Sequence, residues 1–455
     1  MHTTNTGDTA WFLVSAALVL LMTPGLALFY GGMVRSRSVL NMMMMSFASM
    51  GIVGVLWVLV GYSMAFGDSM GGLVGNPVEL AGLDHVLSPT SVVGTVPATV
   101  FAGFQGAFAV IAVALISGAI ADRARFSAWC VFTASWALLV YFPVAHWVFS
   151  LDGVVSPHGG WIVNGLKAVD FAGGTAIHID AGAAALALAL VLGRRRGFGT
   201  DPMRPHNLTL VMLGTGLLWF GWFGFDAGSA LGAGPLAGIA WINTLGAAAA
   251  GMCGWLLTER LRDGHATSLG AASGVVAGLV AITPACAAVS PVGGIVIGAV
   301  AGAVCACAVG LKFRIGLDDS LDVVGVHLVG GLTGTLAVGV LATRSVPAGT
   351  VAGLAYGGGP DQLWRQAAGA LAVLGYSFVV SWVLGTVVDR TMGFRVTDEE
   401  ELQGVDTTEH AETGYDLTPV GTGRRPAAAE ARDGDGPCRG HEGQPVTLSG
   451  VHQPV

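Results

Sequence analysis

Two histidines stand inside otherwise apolar, glycine-rich stretches, and each follows an aspartate by eight residues. His178 lies in DFAGGTAIHIDAG after Asp170, and His327 lies in DDSLDVVGVHLVGG after Asp319. A neutral imidazole offers one hydrogen-bond donor and one acceptor, so two adjacent rings can pass a small polar molecule along an apolar path. The alternative is a pair of core histidines bonded to the backbone or to each other. The matched spacing favours a pathway.

Composition places these histidines in a membrane. Hydrophobic residues make up 53% of the 455, charged residues only 11%, and the mean hydropathy is +0.68. An ionisable group at membrane depth is costly and tends to face a pathway or cavity. Windows of about 20 residues predict an all-α membrane protein of eleven transmembrane helices. Their centres lie near Leu20, Gly51, Phe108, Leu138, Ala183, Leu217, Ala247, Leu279, Val300, Leu332 and Val379.

Basic residues orient the predicted helices. Alternate loops hold twelve lysines and arginines, and the other loops hold three. Cytoplasmic loops carry the excess of Lys and Arg, so the N-terminus is expected outside and the C-terminus inside. The first segment, MHTTNTGDTA, has no basic region, and the apolar run after it is expected to be a retained helix. We expect a multi-pass protein of the cell membrane.

The two histidines are placed symmetrically in this topology. Helical rise puts each about 12 Å from its own membrane face, and a hydrocarbon core about 30 Å thick leaves about 6 Å between their levels. A glycine follows each histidine by four residues, Gly182 and Gly331. Because spans five and ten carry the aspartate, histidine and glycine at the same spacing, we predict two inverted five-helix repeats plus an eleventh helix, with the site between the two repeats.

Other polar residues leave alternatives open. Asp170 could cap the helix start at Phe171–Thr175 or contact a cation, and Asp180 and Asp226 need partners that the sequence does not identify. The net charge of −8 mildly favours a cationic substrate. No nucleophile with a base, nucleotide loop or metal-ligand spacing is apparent. We therefore expect neither an enzyme, a cofactor, a metal site nor a nucleic-acid partner.

Five blocks of sequence carry a resemblance. They are FQGAFA at 104–109, DFAGGTAIHI at 170–179, GWFGFDAGSA at 221–230, AGLVAITPAC at 277–286 and DVVGVH at 322–327. In this order they resemble the ammonium transporter family, the Amt/Mep/Rh superfamily, and in particular its bacterial Amt branch, from about Ala10 to Tyr415. The resemblance implies a homotrimer with one pore per subunit.

The resemblance also implies roles for individual residues. His178 and His327 correspond to twin histidines of the pore, and Phe108 and Phe225 to a stacked phenylalanine gate. The outer ammonium site would comprise Phe149, Ser229, Trp222 and Asp170. A separate group of supporting residues would comprise Phe104, Gln105, Asp319 and Asp322. Phe149 stands where the family often has tryptophan. Phenylalanine is the weaker cation-π partner, so weaker outer selection is expected.

The chain after the last helix resembles the family's C-terminal region. Gly404, Asp406, His410 and Tyr415 match in order, which implies contacts with neighbouring subunits and with a PII-type nitrogen regulatory protein. We expect a transmembrane domain at 1–391, a cytoplasmic regulatory region at 392–415 and, because residues 416–455 are rich in Pro, Gly, Ala and charge, a disordered tail there.

The function that follows is transport of ammonium, ammonia and methylammonium through the lipid bilayer. Bare ammonium is costly to place in a dry section. It is therefore expected to bind in the aromatic vestibule, lose its proton and pass the histidines as ammonia. Two alternatives stay open, an ammonium sensor that signals through a PII-type partner and a Rhesus-like gas channel.

Overall fold

The computed structural model describes residues 4–415, so the tail predicted at 416–455 lies outside the described residues. Within that range ten helices are long and apolar enough to cross a membrane, and a shorter apolar helix of 15 residues completes the eleven predicted spans. The bounds are α1 Thr6–Met33, α2 Ser36–Phe66, α3 Ala98–Ile120, α4 Phe126–Phe149, α5 Gly174–Leu192, α6 Leu208–Gly228, α7 Pro235–Asp263, α8 Ser268–Ile282, α9 Pro291–Ile315, α10 Val324–Leu341 and α11 Asp361–Met392.

Long helices are the expected solution for such a chain, because a backbone in lipid must satisfy its hydrogen bonds within the segment. Within residues 4–415, strands are confined to two small antiparallel hairpins between α2 and α3, and short helical turns occur in the connections. The strands are β1 Ser69–Met70, β2 Val74–Gly75, β3 Val92–Val93 and β4 Val96–Pro97. The turns are Ala81–Val86, Ile162–Leu166 and Leu354–Tyr356.

The helices divide into two halves of five. In the bundle α1 packs along α6, the first helix of the second half, and α5 faces α10. The eleventh helix stands outside this pairing and packs against both α5 and α10. The predicted architecture of two five-helix repeats plus one helix is confirmed. It brings the starts of α5 and α10 in from opposite ends of the bundle.

Residues 393–415 fold back onto one end of the bundle, which we call the tail face; the opposite end is the N-terminal face. Two short helices form there, α12 (Asp398–Gln403) and α13 (Val405–His410). The Asp406 carboxylate accepts the backbone N–H groups of Leu40 (3.0 Å) and Asn41 (2.8 Å). This carboxylate therefore holds the C-terminal region against the start of α2.

The other marked residues of the C-terminal region are also in contact with the bundle. The imidazole of His410 lies 3.0 Å from the side-chain oxygen of Asn41, and the Tyr415 hydroxyl lies 2.8 Å from Nε2 of His206. Gly404 has a φ of 117°, and a Cβ there would lie 2.7 Å from Cβ of Arg37. Only glycine fits this position without strain.

Beneath the C-terminal region lies a buried network of charges. The Arg195 guanidinium reaches Asp318 (2.8 Å) and Asp122 (3.0 Å), and Arg123 donates to the Asp318 carbonyl oxygen (2.8 Å). Burial works against the charge of Asp318, but Arg195 and Arg123 outweigh it and hold the pKa of this carboxyl below its usual value. Glu401 joins the C-terminal region to the network by accepting the Arg196 backbone N–H at 2.9 Å.

Candidate functional site: the histidine-lined pore

The two histidines meet inside the bundle. Nδ1 of His178 lies 3.3 Å from Nδ1 of His327, and the ring centroids are 5.3 Å apart. Both side chains are buried, at 1% and 4% exposure. Each histidine lies in a π-helical turn, Gly174–Ile179 at the start of α5 and Val324–Leu328 at the start of α10. Such turns are frequent at functional sites, since they redirect side chains from the regular helical face.

The pairing of the rings constrains their protons. With Nδ1 facing Nδ1, one ring donates and the other accepts, so the two neutral imidazoles carry their protons on different nitrogens. Nε2 of His178 has no hydrogen-bond partner among residues 4–415. That nitrogen belongs to a side chain lining the cavity, where it can bond to a molecule passing through.

Close packing of two glycines brings α5 and α10 together. A Cβ on Gly182 would lie 2.5 Å from the backbone nitrogen of Leu328, directly after His327. A Cβ on Gly331 would lie 3.0 Å from the Gly174 carbonyl oxygen and 3.2 Å from Cβ of His178. Each glycine therefore gives room to the other histidine's helix, as small residues do where membrane helices cross closely.

A column of aromatic rings continues from the histidines. The Trp222 ring stacks on His178 at 5.4 Å, and Nε1 of Trp222 donates to the Thr283 hydroxyl at 2.9 Å. Phe225 stacks on Phe108 with centroids 4.3 Å apart and an angle of 17° between the planes. Phe104 lies one helical turn from Phe108, with centroids 4.7 Å apart.

Apolar side chains enclose the histidines on the remaining sides. Apart from His178, His327 and Trp222, every side chain lining this narrow cavity is apolar. Besides the gate residue Phe225, eight apolar residues line the cavity, and the sequence gives no signal of their role because each is an apolar side chain in an apolar helix. They are Met22, Leu26, Phe29, Ile111, Leu115, Ile177, Leu218 and Val276.

The two aspartates that precede the histidines cap helices. Asp170 accepts four backbone N–H groups at 2.7–3.0 Å, two on each carboxylate oxygen, from residues 173–176. Asp319 accepts two, from Val323 and Val324. A carboxylate has about four lone-pair sites, so those of Asp170 are filled by its own helix start. The structure thus favours capping over direct contact with a cation at Asp170.

Ser229, Gln105 and Phe149 are three further residues of the predicted site. The Ser229 hydroxyl donates to the Phe225 carbonyl oxygen at 2.8 Å, directly after α6. Gln105 is buried between its neighbours on α3, at 8% exposure. Phe149 is the last residue of α4 and is half-buried, and it forms no ring pair with Phe104, Phe108 or Phe225 in the described part of the chain.

Two carboxyl groups lie within the helices near the histidines. Asp226 is fully buried, and one of its oxygens accepts the Thr244 hydroxyl at 2.6 Å. Asp180, two residues past His178, is also fully buried, and neither of its oxygens has a hydrogen-bond partner within residues 4–415. A buried polar group without a hydrogen-bond partner is costly, so Asp180 is the less well satisfied of the two carboxyl groups.

Comparison with known proteins agrees with this geometry. The model of the Ammonium Transporter Family matches residues 10–415. The chain belongs to the ammonium transporter family. The chain is 59% identical over 431 residues to an ammonium transporter of Mycobacterium tuberculosis, with 90% of each chain covered. It is 48% identical over 414 residues to an ammonium transporter of Bacillus subtilis, which covers 90% of this chain and 98% of the relative.

Solved structures of the family share the fold. Mep2 of Saccharomyces cerevisiae superimposes with a TM-score of 0.79 at 34% identity, covering 87% of this chain and 89% of Mep2. A protein described as a sensor Amt protein superimposes with a TM-score of 0.80 at 30% identity, covering 89% and 98%. These matches confirm three predictions from the sequence. The chain fits the bacterial Amt branch, its function is ammonium transport, and it is a multi-pass membrane protein.

Proposed function

We propose that this ammonium transporter carries its substrate past His178 and His327 as neutral ammonia. The observation that carries the proposal is the histidine pair, buried and mutually bonded in a cavity that is otherwise apolar. An intact ammonium ion would lose its hydration there without a carboxylate to replace it, at a cost of tens of kcal/mol by Born solvation. Ammonia needs only a donor and an acceptor, which the paired rings supply.

The proton is lost before the dry section. On the N-terminal face, the aromatic face of Phe149 and the hydroxyl of Ser229 are suited to hold a cation through a cation-π contact and a hydrogen bond. Trp222, which the resemblance assigns to the same site, instead stacks on His178 at 5.4 Å. The stacked rings of Phe108 and Phe225, 4.3 Å apart, lie between this site and the histidines. Removing water from ammonium lowers the pKa of the ion, which favours release of the proton at these rings.

The same barrier gives selectivity. A potassium ion is close to ammonium in size but has no proton to release, so it would have to enter the apolar cavity as an ion. Asp170 takes no direct part in this proposal, because its four N–H partners fill the carboxylate. Its role is to hold the start of α5, and with it His178, in place.

Placement in the cell follows from the charges. We propose a cell-membrane protein with the N-terminal face outside and the tail face in the cytoplasm, since basic loops are retained on the cytoplasmic side. We propose a homotrimer with one pore per subunit, and a transmembrane domain at 1–391 followed by a regulatory region at 392–415. The contacts of Asp406, His410 and Tyr415 with the bundle support a region that a PII-type partner can engage.

The sensor function stays a second candidate because one structural neighbour is described as a sensor Amt protein. One experiment separates the candidates. The purified protein is reconstituted in liposomes, and methylammonium flux and electrical current are recorded together. Flux is expected; flux with current indicates that the proton is also carried, flux without current fits a Rhesus-like gas channel, and no flux would leave only the sensor. A pull-down with the cognate PII protein that fails under nitrogen-replete conditions would overturn the regulatory part.

A further inference from the structure

A lysine on the tail face is paired with an aspartate that lines the pore. Lys312, near the end of α9, donates from Nζ to the Asp319 carbonyl oxygen (2.8 Å) and to the Asp322 carboxylate (2.5 Å). The two side chains are 12% and 22% exposed. The transport proposal makes no use of this ion pair, yet it lies directly before the turn of α10 that holds His327.

The ion pair separates two cavities. Asp322 lines the inner continuation of the pore, together with Phe29, Tyr30 and His327. Lys312 lines a cavity of about 470 Å³ on the tail face, beside Arg195 and Phe313. A molecule that passed from one cavity to the other would meet the bond between Lys312 and Asp322.

The backbone at Asp322 is held in an uncommon conformation. Its φ is +64°, in the left-handed region that non-glycine residues seldom adopt. Such a conformation persists where the surrounding structure enforces it. In this conformation the Asp322 carboxylate and the Asp319 carbonyl oxygen converge on a single ammonium group.

The group that fills this position has the chemistry of the transported ions. The end of a lysine side chain is a methylene bearing an ammonium, which is a tethered methylammonium. A free ammonium at the same point could donate to the same two oxygens and keep further N–H groups for water in the tail-face cavity. The oxygen pair is thus suited to receive ammonia once it has regained a proton.

We propose that the Asp322 carboxylate and the Asp319 carbonyl oxygen form an inner subsite for ammonium-class cations, and that Lys312 occupies it as a displaceable internal competitor. This rests on the transport function proposed above. Because the lysine fills the subsite, cation that accumulates on the tail face binds there weakly. The pair thereby limits return flux and inhibition by product.

The test compares transport from the two faces. Uptake of labelled methylammonium is measured in intact cells, which present the N-terminal face, and in inverted membrane vesicles, which present the tail face. Lys312→Met keeps an unbranched side chain, one heavy atom shorter, and removes its charge. If the lysine fills the subsite about nine-tenths of the time, vacating it raises the apparent affinity from the tail face about tenfold. The apparent affinity from the N-terminal face is expected to be unchanged, which also shows that the variant is folded.

Two further variants serve as controls. Arg314→Gln removes an exposed charge two residues along the same helix, with no carboxylate within salt-bridge distance among the described residues; it is expected to match the wild type from both faces. The double variant Lys312→Met with Asp322→Asn is expected to lose the gain in apparent affinity from the tail face. An unchanged affinity in Lys312→Met, an equal gain in Arg314→Gln, or a gain that survives Asp322→Asn would overturn the inner subsite.

Failure of the transport proposal would look different. If the wild-type protein carried no methylammonium in intact cells or in inverted vesicles, transport by the pore would be refuted. The inner subsite is then tested by equilibrium binding of labelled methylammonium to purified protein. Lys312→Met is expected to bind about tenfold more tightly than the wild type. Equal binding by the two proteins would contradict the proposal.

Discussion

The substitution Asp170→Asn distinguishes a helix-capping role of Asp170 from direct binding of the cation by its carboxylate. The carboxylate accepts four N–H groups, two on each oxygen. In Asp170→Asn the amide oxygen can still accept two of them, but the NH₂ group faces the other two as a donor. Each buried N–H left without an acceptor costs about 1–3 kcal/mol, so the folded state is expected to lose about 2–6 kcal/mol.

The pseudo-symmetric aspartate supplies a matched control. Asp319 accepts one N–H on each oxygen, so Asp319→Asn leaves a single donor unpaired and should cost about half as much, about 1–3 kcal/mol. Unfolding of both variants is followed in detergent, and methylammonium uptake gives the apparent affinity and the maximum rate. A cap predicts lost stability and a lower maximum rate. Unchanged stability of Asp170→Asn with a weakened apparent affinity would refute the capping argument.

Three other changes test the contacts around the pore and the tail face. Gly182→Val should force α5 away from α10, because even a Cβ at this position would lie 2.5 Å from the backbone nitrogen of Leu328. Since a displacement of 1 Å can lower a rate about 100-fold, methylammonium uptake should nearly vanish. The control Gly103→Ala lies in open space and should transport at the wild-type rate, and equal uptake by the two variants would count against the glycine contact. Arg195 holds the pKa of Asp318 low in the folded protein against the effect of burial. The ionised Asp318 therefore stabilises the folded state at pH values above the pKa of this carboxyl in the unfolded chain, and that stabilisation is lost as the pH falls through its lower pKa in the folded protein. Asp318→Asn should therefore lower stability by about 3–5 kcal/mol at pH 7, with the gap to wild type closing below about pH 4; a gap independent of pH in thermal unfolding would contradict this. Phe149→Trp should tighten the apparent affinity for methylammonium about two- to fivefold through a stronger cation-π contact, and an unchanged affinity would count against a role for Phe149 in cation selection.

The elements of the fold could be predicted because the membrane leaves few alternatives. Apolar windows located all eleven helices, including the short Ser268–Ile282. The equal spacing of Asp170 to His178 and of Asp319 to His327 indicates two inverted halves. The π-helical turns that carry both histidines were not predicted, because no residue pattern separates them from ordinary helix.

The site could be predicted only where it carries an unusual residue type. Histidine and aspartate are rare at membrane depth and therefore visible in the sequence. Phe29 and Leu26 line the pore but resemble any other apolar residue of α1. The ion pair of Lys312 with Asp322 was missed as well, since its partners lie on different elements and the lysine counted only as one more basic loop residue. Whether Asp170 caps a helix was left open by the sequence, because that depends on the directions of four N–H groups.

Selectivity against potassium tests the central claim most directly. Liposomes containing the purified wild-type protein are given equal inward gradients of ammonium or of potassium, and entry of each is measured at a fixed membrane potential. Passage of ammonia along His178 and His327 predicts rapid entry for ammonium and potassium entry no greater than in protein-free liposomes, because only ammonium can release a proton and cross the apolar section uncharged. Potassium entry at a rate comparable to that of ammonium would contradict the account.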